Sequence, residues 1–576
     1  MKRRWIAIFS AFVLVLTALA GCANQGENSG AAQSDRQGAS SNESAEEGSA
    51  QADFSEELSI SAWIHTSDNN DGYFSSFNEN PMNAWLMEKF NVTFDWQIPA
   101  IGSEADSLSL MIGSGDYTDV FDSMQGQQTP EELYEDGVIQ DLTPYVEQYM
   151  PNYLAFIATD DEIRKSAYTS DGKILYIPNA ADEAALMWGG LMYNRQILED
   201  MTDQQLQFPS GNQDPTTVED WDYMLALMKQ YYSAAGFADY ACLIIPYTGY
   251  FQSGDLETGF GVNGEFYVDA DGKLQSSFLQ EGFYDYLVKM KEWYSKGYVY
   301  ADFASRNTDP EFFPNPALTW SGAAGVFYGL VEQLGTAMSM PEDGLNINMR
   351  PLASPVGNGN TPLPGNATIS YNDSVASFSR GWVVSVNASE EKLIRWLQIC
   401  DYLFSEEGSM IKSYGLTKEQ AAENEIYKNL GLQEGAYWFD DAENFVFNPL
   451  LDPTSEEATI KEGQLRGLRL PGLQNNAYLN QAAKETRVEA NEVWYSNGFE
   501  ACVPAGATLT PEENAQNAPL STAVNDYVAS MLPKFIMGTE ELTPDRFAEF
   551  GRQLETLGLT TMIELQQTAY DRYMSK

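Results

Sequence analysis

A single histidine, His65, serves a chain of 576 residues. That scarcity excludes most metal sites and the designs that use imidazole as base or ligand. Any catalysis would have to rest on carboxylates or a lone thiol. His65 follows an apolar stretch and belongs to no partner motif, so a structural role is expected for it. Cations are scarce too: Lys and Arg number 32 against 83 Asp and Glu, a formal charge of −51. Nucleic acid and anionic lipid headgroups need clustered Lys and Arg, so both are excluded as partners. The excess of one sign suits a self-repelling surface outside the cell. Cysteines number four. With Cys22 set aside, Cys242, Cys400 and Cys502 cannot all pair with one another; buried free thiols are expected, and one disulfide stays open. No phosphate-cradling glycine loop occurs, and neither a metal nor a cofactor is expected. Past residue 22 no stretch is apolar enough to span a bilayer.

What the chain has in quantity is apolar and aromatic material, 43% and 13% of its residues. A chain this long exceeds one ordinary core, so two or more lobes are expected. Its first 22 residues form an export signal. Lys2, Arg3 and Arg4 are a positive start, and Trp5 to Thr17 are an apolar run too short to cross a bilayer comfortably. Leu19-Ala20-Gly21-Cys22 then resembles the bacterial lipobox, which implies cleavage before Cys22 and a diacylglycerol on its thiol. Residues 23 to 54, rich in Ser, Gly, Ala, Gln, Asn and Glu, read as a tether between lipid and folded body.

The organising stretch runs from Gly172 to Leu198. Ile174 to Ile177 reads as a buried strand, broken by Pro178 and Asn179. Leu186 to Tyr193 is a second apolar run holding Trp188, Gly189 and Gly190, with a helix start at Asn194 and Arg195. This is read as a loosened connection by which the chain leaves one lobe for another, with a ligand cleft at the crossing. Before it, Leu58–Ile64, Val92–Ile98 and Asp116–Phe121 read as strands separated by helices, the pattern of a sheet with helical crossovers. After it come a helix capped in Pro215-Thr216-Thr217, a short strand from Cys242 and a helix from Phe283 to Ser295. A strand of small residues follows from Ala323 to Gly329, then a long Pro/Gly/Asn connection over 341–373. Ser379 to Val386 reads as a recrossing strand, and Ser389 caps a helix from Glu390 to Phe404. Asp269-Ala270-Asp271-Gly272 reads as a hairpin turn. Asp68 to Gly72 resembles a calcium loop but lacks the distal Glu, so turn formation is expected there.

SGDYTDVFDSM, LYEDGVIQDLTPYVEQYMPNY, DGKILYIP, YNRQIL through PTTVEDW, and FIMGTEELTPDRFAEFGRQLETLGLTTMIELQQTAYDRY occur in that order. Together they resemble the extracellular solute-binding lipoproteins of ABC sugar importers, in the large oligosaccharide-type group common in Gram-positive bacteria. The resemblance spreads from Leu58 to Tyr573; its one departure is Thr118-Asp119, where the family has Pro-Asp. It implies an α/β, two-lobe periplasmic-binding-protein fold (type II), each lobe a sheet flanked by helices, joined by a multi-strand hinge. The expected division is 1–21 signal peptide, 22–54 lipidated tether, 55–180 with 383–432 first lobe, and 181–382 with 433–576 second lobe. A monomer is implied that captures an oligosaccharide and passes it to permease subunits at the outer face of the cell membrane.

Sugars present apolar faces and hydroxyl rims, which aromatic rings and polar side chains match. Strand ends and crossings pick out Trp63, Trp188, Tyr247, Tyr250, Trp320 (read in a Pro-bounded loop), Tyr328, Trp382 and Trp438. Trp438 is taken to mark the return to the second lobe. Asp122, Glu183, Asn194 and Arg380 are the polar candidates. Each ring has core packing as a competing use. A peptide binder or sensor on the same fold stays open, as does a secreted glycoside hydrolase or lyase built on paired carboxylates.

Overall fold

The computed structural model describes residues 54–576 apart from 66–75, 101, 127, 183–186, 188, 203–205, 246–254, 306–315, 336–346, 358–362, 364–380, 423, 452–469, 482–484, 495, 497, 499 and 505. Its strands are Leu58–Trp63 (β1), Val92–Gln97 (β2), Val120–Asp122 (β3), Asn179–Ala181 (β4), Gly189–Asn194 (β5), Ala241–Leu243 (β6), Phe266–Val268 (β7), Leu274–Ser276 (β8), Ala324–Leu330 (β9), Met349–Pro351 (β10), Trp382–Val384 (β11), Tyr437–Phe439 (β12), Phe445–Phe447 (β13) and Gly472–Gln474 (β14). Two four-stranded sheets carry the molecule, in the orders β11-β3-β1-β2 and β10-β5-β9-β6.

In the first sheet β1 runs parallel to both β2 and β3, as helical crossovers require, and β11 joins antiparallel to β3. Its core is alternately apolar: Ile60 and Ala62 from β1, with Ile64 just past its end, meet Val92 and Phe94 from β2 and Leu393, Trp396 and Leu397 from the helix Glu390–Phe404. Ser389 caps that helix, accepting from Lys392 N. In the second sheet β6 is parallel to β9, β5 is antiparallel to β9, and β10 is antiparallel to β5. The helix Glu281–Ser295 and the C-terminal helices Pro511–Met537, Pro544–Leu557 and Leu559–Met574 pack into the same core as β5 and β9. Thr217 and Thr510 each form a reciprocal cap with an acidic residue three positions on. Two lobes of mixed α/β structure result, as the sequence pattern leads one to expect.

Several local expectations change. Ile174 to Ile177 is buried but joins its sheet only through the bridge between Ile177 and Trp382. Ile174 is held instead from the side: its N–H donates to Thr143 Oγ1 at 2.9 Å, and its carbonyl accepts from Leu142 N at 2.9 Å. The connection expected over 341–373 contains β10, whose Met349 is buried. Trp320 lies in the helix Pro316–Ser321 rather than in a loop. The turn at Asp269–Gly272 does join β7 to β8, with Asp269 Oδ1 accepting from Lys273 N at 2.8 Å.

The return to the second lobe also falls later than residue 433. Ala436, Tyr437, Leu451 and Leu470 belong to the first core. The β12–β13 hairpin stays there because its rings close around Tyr414, with Phe445 at 4.8 Å, Phe447 at 5.7 Å and Tyr437 at 5.8 Å between centroids. Trp438 on that hairpin therefore belongs with the first lobe. Only with the helix Glu485–Trp494, whose Ala490 and Trp494 join the second sheet's apolar cluster, is the chain back.

Among the described residues Cys242, Cys400 and Cys502 form no disulfide; the first two are buried and Cys502 is half-buried. Burial pushes the Cys242 thiol up to about 12, so it is unreactive at neutral pH.

Candidate functional site

Ligands of open α/β sheets bind beyond the carboxyl ends of the parallel strands, where loops leave the sheet. In the first sheet that edge is formed by Trp63 to His65, Gln97 and Ile98, and Asp122 to Met124. Trp382, the first residue of β11, stands opposite Asp122 in register. In the second sheet the equivalent edge holds Leu330 at the end of β9, the residues after Leu243 of β6, and Gly189, which pairs with Leu330. The chain passes from the first lobe to the second between Asp182 and Gly189, returns between Leu363 and Gly381, and passes over again between Gln481 and Glu485. The first crossing arrives at the ligand edge of the second sheet, and the second arrives at the ligand edge of the first. Crossings thus arrive at the ligand edges of both sheets.

Two crossings are tied at both ends. β4 and β14 run side by side in parallel, and beyond them Asn476 N donates to Asp182 Oδ1 at 2.7 Å. Lys412, wholly buried under this ribbon, donates to Asn179 Oδ1 at 2.7 Å. On the far side Met187 N donates to Asn491 Oδ1 at 2.9 Å, and Trp494 Nε1 donates to Leu191 O at 2.7 Å. A Cβ on Gly190 would fall 2.3 Å from the Trp494 ring. Gly189 and Gly190 thus do not loosen a connection. They begin β5, and Gly190 lacks a side chain because the Trp494 indole occupies that space.

The first-lobe edge is well knit. His65 Nδ1 lies 3.1 Å from Asp122 Oδ2, and Asp122 Oδ1 accepts from Met124 N at 3.0 Å. Ser123 Oγ donates to Gly381 O at 2.7 Å, joining the ends of β3 and β11. A Cβ on Gly381 would fall 2.6 Å from Ile177 O, so only glycine lets these backbones meet. Ile98 and Met124, each 42% exposed, present apolar surface at the same edge. Backbone N–H groups at the start of the helix Glu104–Ser114 hold the Glu104 carboxyl below the usual range, with a smaller electrostatic contribution from His65.

Of the residues singled out in the sequence, Trp63, Asp122 and Trp382 come together at this edge. Their rings and carboxylate are already engaged: Trp63 Nε1 donates to Ser107 Oγ at 3.2 Å, and Trp382 packs on Trp396 at 5.1 Å. Tyr328, in β9, is buried in the second core. Asn194 is fully buried, and its Oδ1 accepts from Asn348 N at 3.0 Å, which fixes β10 to β5. Trp438, 37% exposed, lies on the hairpin away from these strand ends. Glu183, Trp188, Tyr247, Tyr250, Arg380 and the Asp68–Gly72 loop lie outside the described residues. His65 is the edge residue that the sequence did not point to; its position just past the first strand was the available signal. Among the described residues no cluster of three His, Cys, Asp or Glu is placed to hold a metal.

No protein-family model matches the chain, and no curated protein matches it. Solved structures do. An HMO-binding ABC-transporter-associated solute-binding protein from Bifidobacterium longum infantis superposes with a TM-score of 0.68 at 16% identity, over 90% of this chain and 100% of its own. The Streptococcus pneumoniae ABC-transporter substrate-binding protein FusA, in complex with kestose, superposes at 0.65 with 15% identity, over 90% and 99% of the two chains. The alginate-binding protein AlgQ2, in a form without calcium ion, superposes at 0.62 with 17% identity over 90% and 99%. The fold of this chain is thus the two-lobe fold of solute-binding proteins.

Proposed function

We propose that this protein is the substrate-binding component of an ABC importer, capturing an oligosaccharide between its lobes and delivering it to a membrane permease. What supports the reading is that the chain's crossings between the two sheets reach the ends of their strands, at Gly189 beside Leu330 and at Gly381 beside Ser123. The carbohydrate-binding neighbours over nine-tenths of the chain support the choice of ligand class. The mechanism is closure: the ligand bridges both edges and so binds the closed arrangement better than the open one, which is what shifts the population. No bond is made or broken, so binding rather than catalysis is the activity. Within this reading Ile98 and Met124 offer apolar contact to sugar faces. Glu183, Trp188, Tyr247, Tyr250 and Arg380 are proposed contacts from their sequence positions at crossings and strand ends. The protein acts as a monomer held at the outer membrane face by lipid on Cys22, an anchor that needs no transmembrane helix. Among the described residues no helix is long and apolar enough to cross a membrane.

Two measurements test this. Thermal unfolding in the presence of kestose, fructo-nystose, Man1GlcNAc and alginate oligosaccharides is expected to show a raised midpoint with at least one. At a hundredfold excess over Kd the gain is about 2.7 kcal/mol, and the sugar is recovered uncut. Stabilisation by peptides alone would replace the ligand class; cleavage of the glycan would replace binding by catalysis. Separately, Cys22→Ser is expected to leave the protein unprocessed or released into the medium. A processed Cys22→Ser form that still partitions with membranes would overturn the lipid anchor.

A further inference from the structure

We propose that His65 is a ligand-contacting residue that reads a sugar hydroxyl through Nε2, with Asp122 as its positioning residue. This rests on the carbohydrate reading above and names one of its polar contacts. The chain holds no other histidine, and this one sits at the ligand edge, two residues past the end of β1. The carboxylate of Asp122 can only accept, so the ring nitrogen facing it, Nδ1, carries the proton. Asp122 is fixed in turn by Met124 N on its other oxygen and by its register against Trp382. The ring is thus held in one tautomer, with Nε2 as the free acceptor. Among the described residues nothing hydrogen-bonds Nε2, while the side chain keeps 11% of its surface open. A histidine held by a carboxylate on one nitrogen and left unmatched on the other is built to meet a group that arrives from outside.

Among the described residues, Asp122, from the end of β3, lies against the ring, and Glu104, from the start of the helix after β2, interacts with it electrostatically. The neutral ring accepts a hydroxyl proton at Nε2, whereas the imidazolium can only donate there. A histidine that merely braces the strand ends would leave Nε2 untouched when ligand binds.

The test uses the full chain labelled with 15N-histidine, which yields one Nδ1 and one Nε2 resonance. The probe is whichever of kestose, fructo-nystose, Man1GlcNAc or alginate oligosaccharide raises the melting temperature. Saturation with it is expected to move the Nε2 resonance. His65→Ala should weaken affinity roughly threefold to tenfold, the size of one hydrogen bond. Asp122→Asn should alter the tautomer seen in the Nδ1 and Nε2 shifts of the unliganded protein. A probe that stabilises the protein but leaves Nε2 unmoved overturns the proposal while the carbohydrate reading stands. A His65→Ala affinity matching the parent protein's overturns it too. If no carbohydrate stabilises the protein, the carbohydrate reading fails first and this inference fails with it. The labelled parent protein gives the NMR result even where a variant does not fold.

Discussion

Replacing Trp382 by Ala is expected to cost about 3–5 kcal/mol of stability, the usual loss for a large ring removed from a core. The indole is 2% exposed. It packs against Trp396 with centroids 5.1 Å apart and edge-on against Trp96 at 6.5 Å. Its backbone exchanges both hydrogen bonds with Ile177, at 3.0 and 2.9 Å, where the second crossing rejoins the first sheet. Truncation would leave a cavity bounded by ring edges and strand backbone, neither of which can close in without disturbing the sheet. Urea unfolding of the variant checks this, and a loss below about 1 kcal/mol would show that the ring is not a core element. Ligand affinity measured on the same variant separates the two uses of the residue. The burial predicts a large change in stability, with any change in affinity arising through Asp122, opposite it in register.

Glu265→Gln is expected to stabilise the protein at pH 8 and to do nothing at pH 4. As a residue Glu265 is only partly buried, but its Oε1 is enclosed and lacks a hydrogen-bond partner, and that oxygen decides the ionisation. Desolvation raises its carboxyl to about 7. The sign follows from linkage. Below about pH 4.5 the group is protonated whether the chain is folded or not, and nothing is lost. Between about 4.5 and 7 the unfolded chain releases the proton while the folded one keeps it, so stability falls as pH rises. Above 7 the full cost, on the order of 2–3 kcal/mol, is in place. Gln removes the charge and so removes that slope. Unfolding free energies of parent and variant at pH 4, 6 and 8 should diverge stepwise in favour of the variant. Parallel curves would mean that the carboxylate finds a partner or water.

The alternation of Leu58 to Trp63, the caps at Thr217 and Ser389, and the amphipathic helix Glu281–Ser295 are local features. Their spacing in the chain sets which face each element buries. That is why the succession of strands and helices, and with it the two-lobe α/β class, could be read without coordinates. The site was less legible for the opposite reason. A tryptophan suits a sugar face and a protein core equally well, and composition does not say which surface it meets. Trp63 and Trp382 do lie at strand ends and Tyr328 lies two residues inside β9, yet packing engages all three.

The amino-acid sequence by itself determined the main elements, their order and the chemistry excluded by a lone histidine and a shortage of cations, because these depend on neighbours in the chain. Only the tertiary structure decided what depends on partners far along it. It keeps the β12–β13 hairpin in the first lobe through contacts with Tyr414, and it makes room at Gly190 for an indole more than three hundred residues away. It also sets His65 against Asp122, 57 residues on in the chain, where a carboxylate lies against one ring nitrogen. Such pairings follow from strand order and register, which local periodicity does not encode.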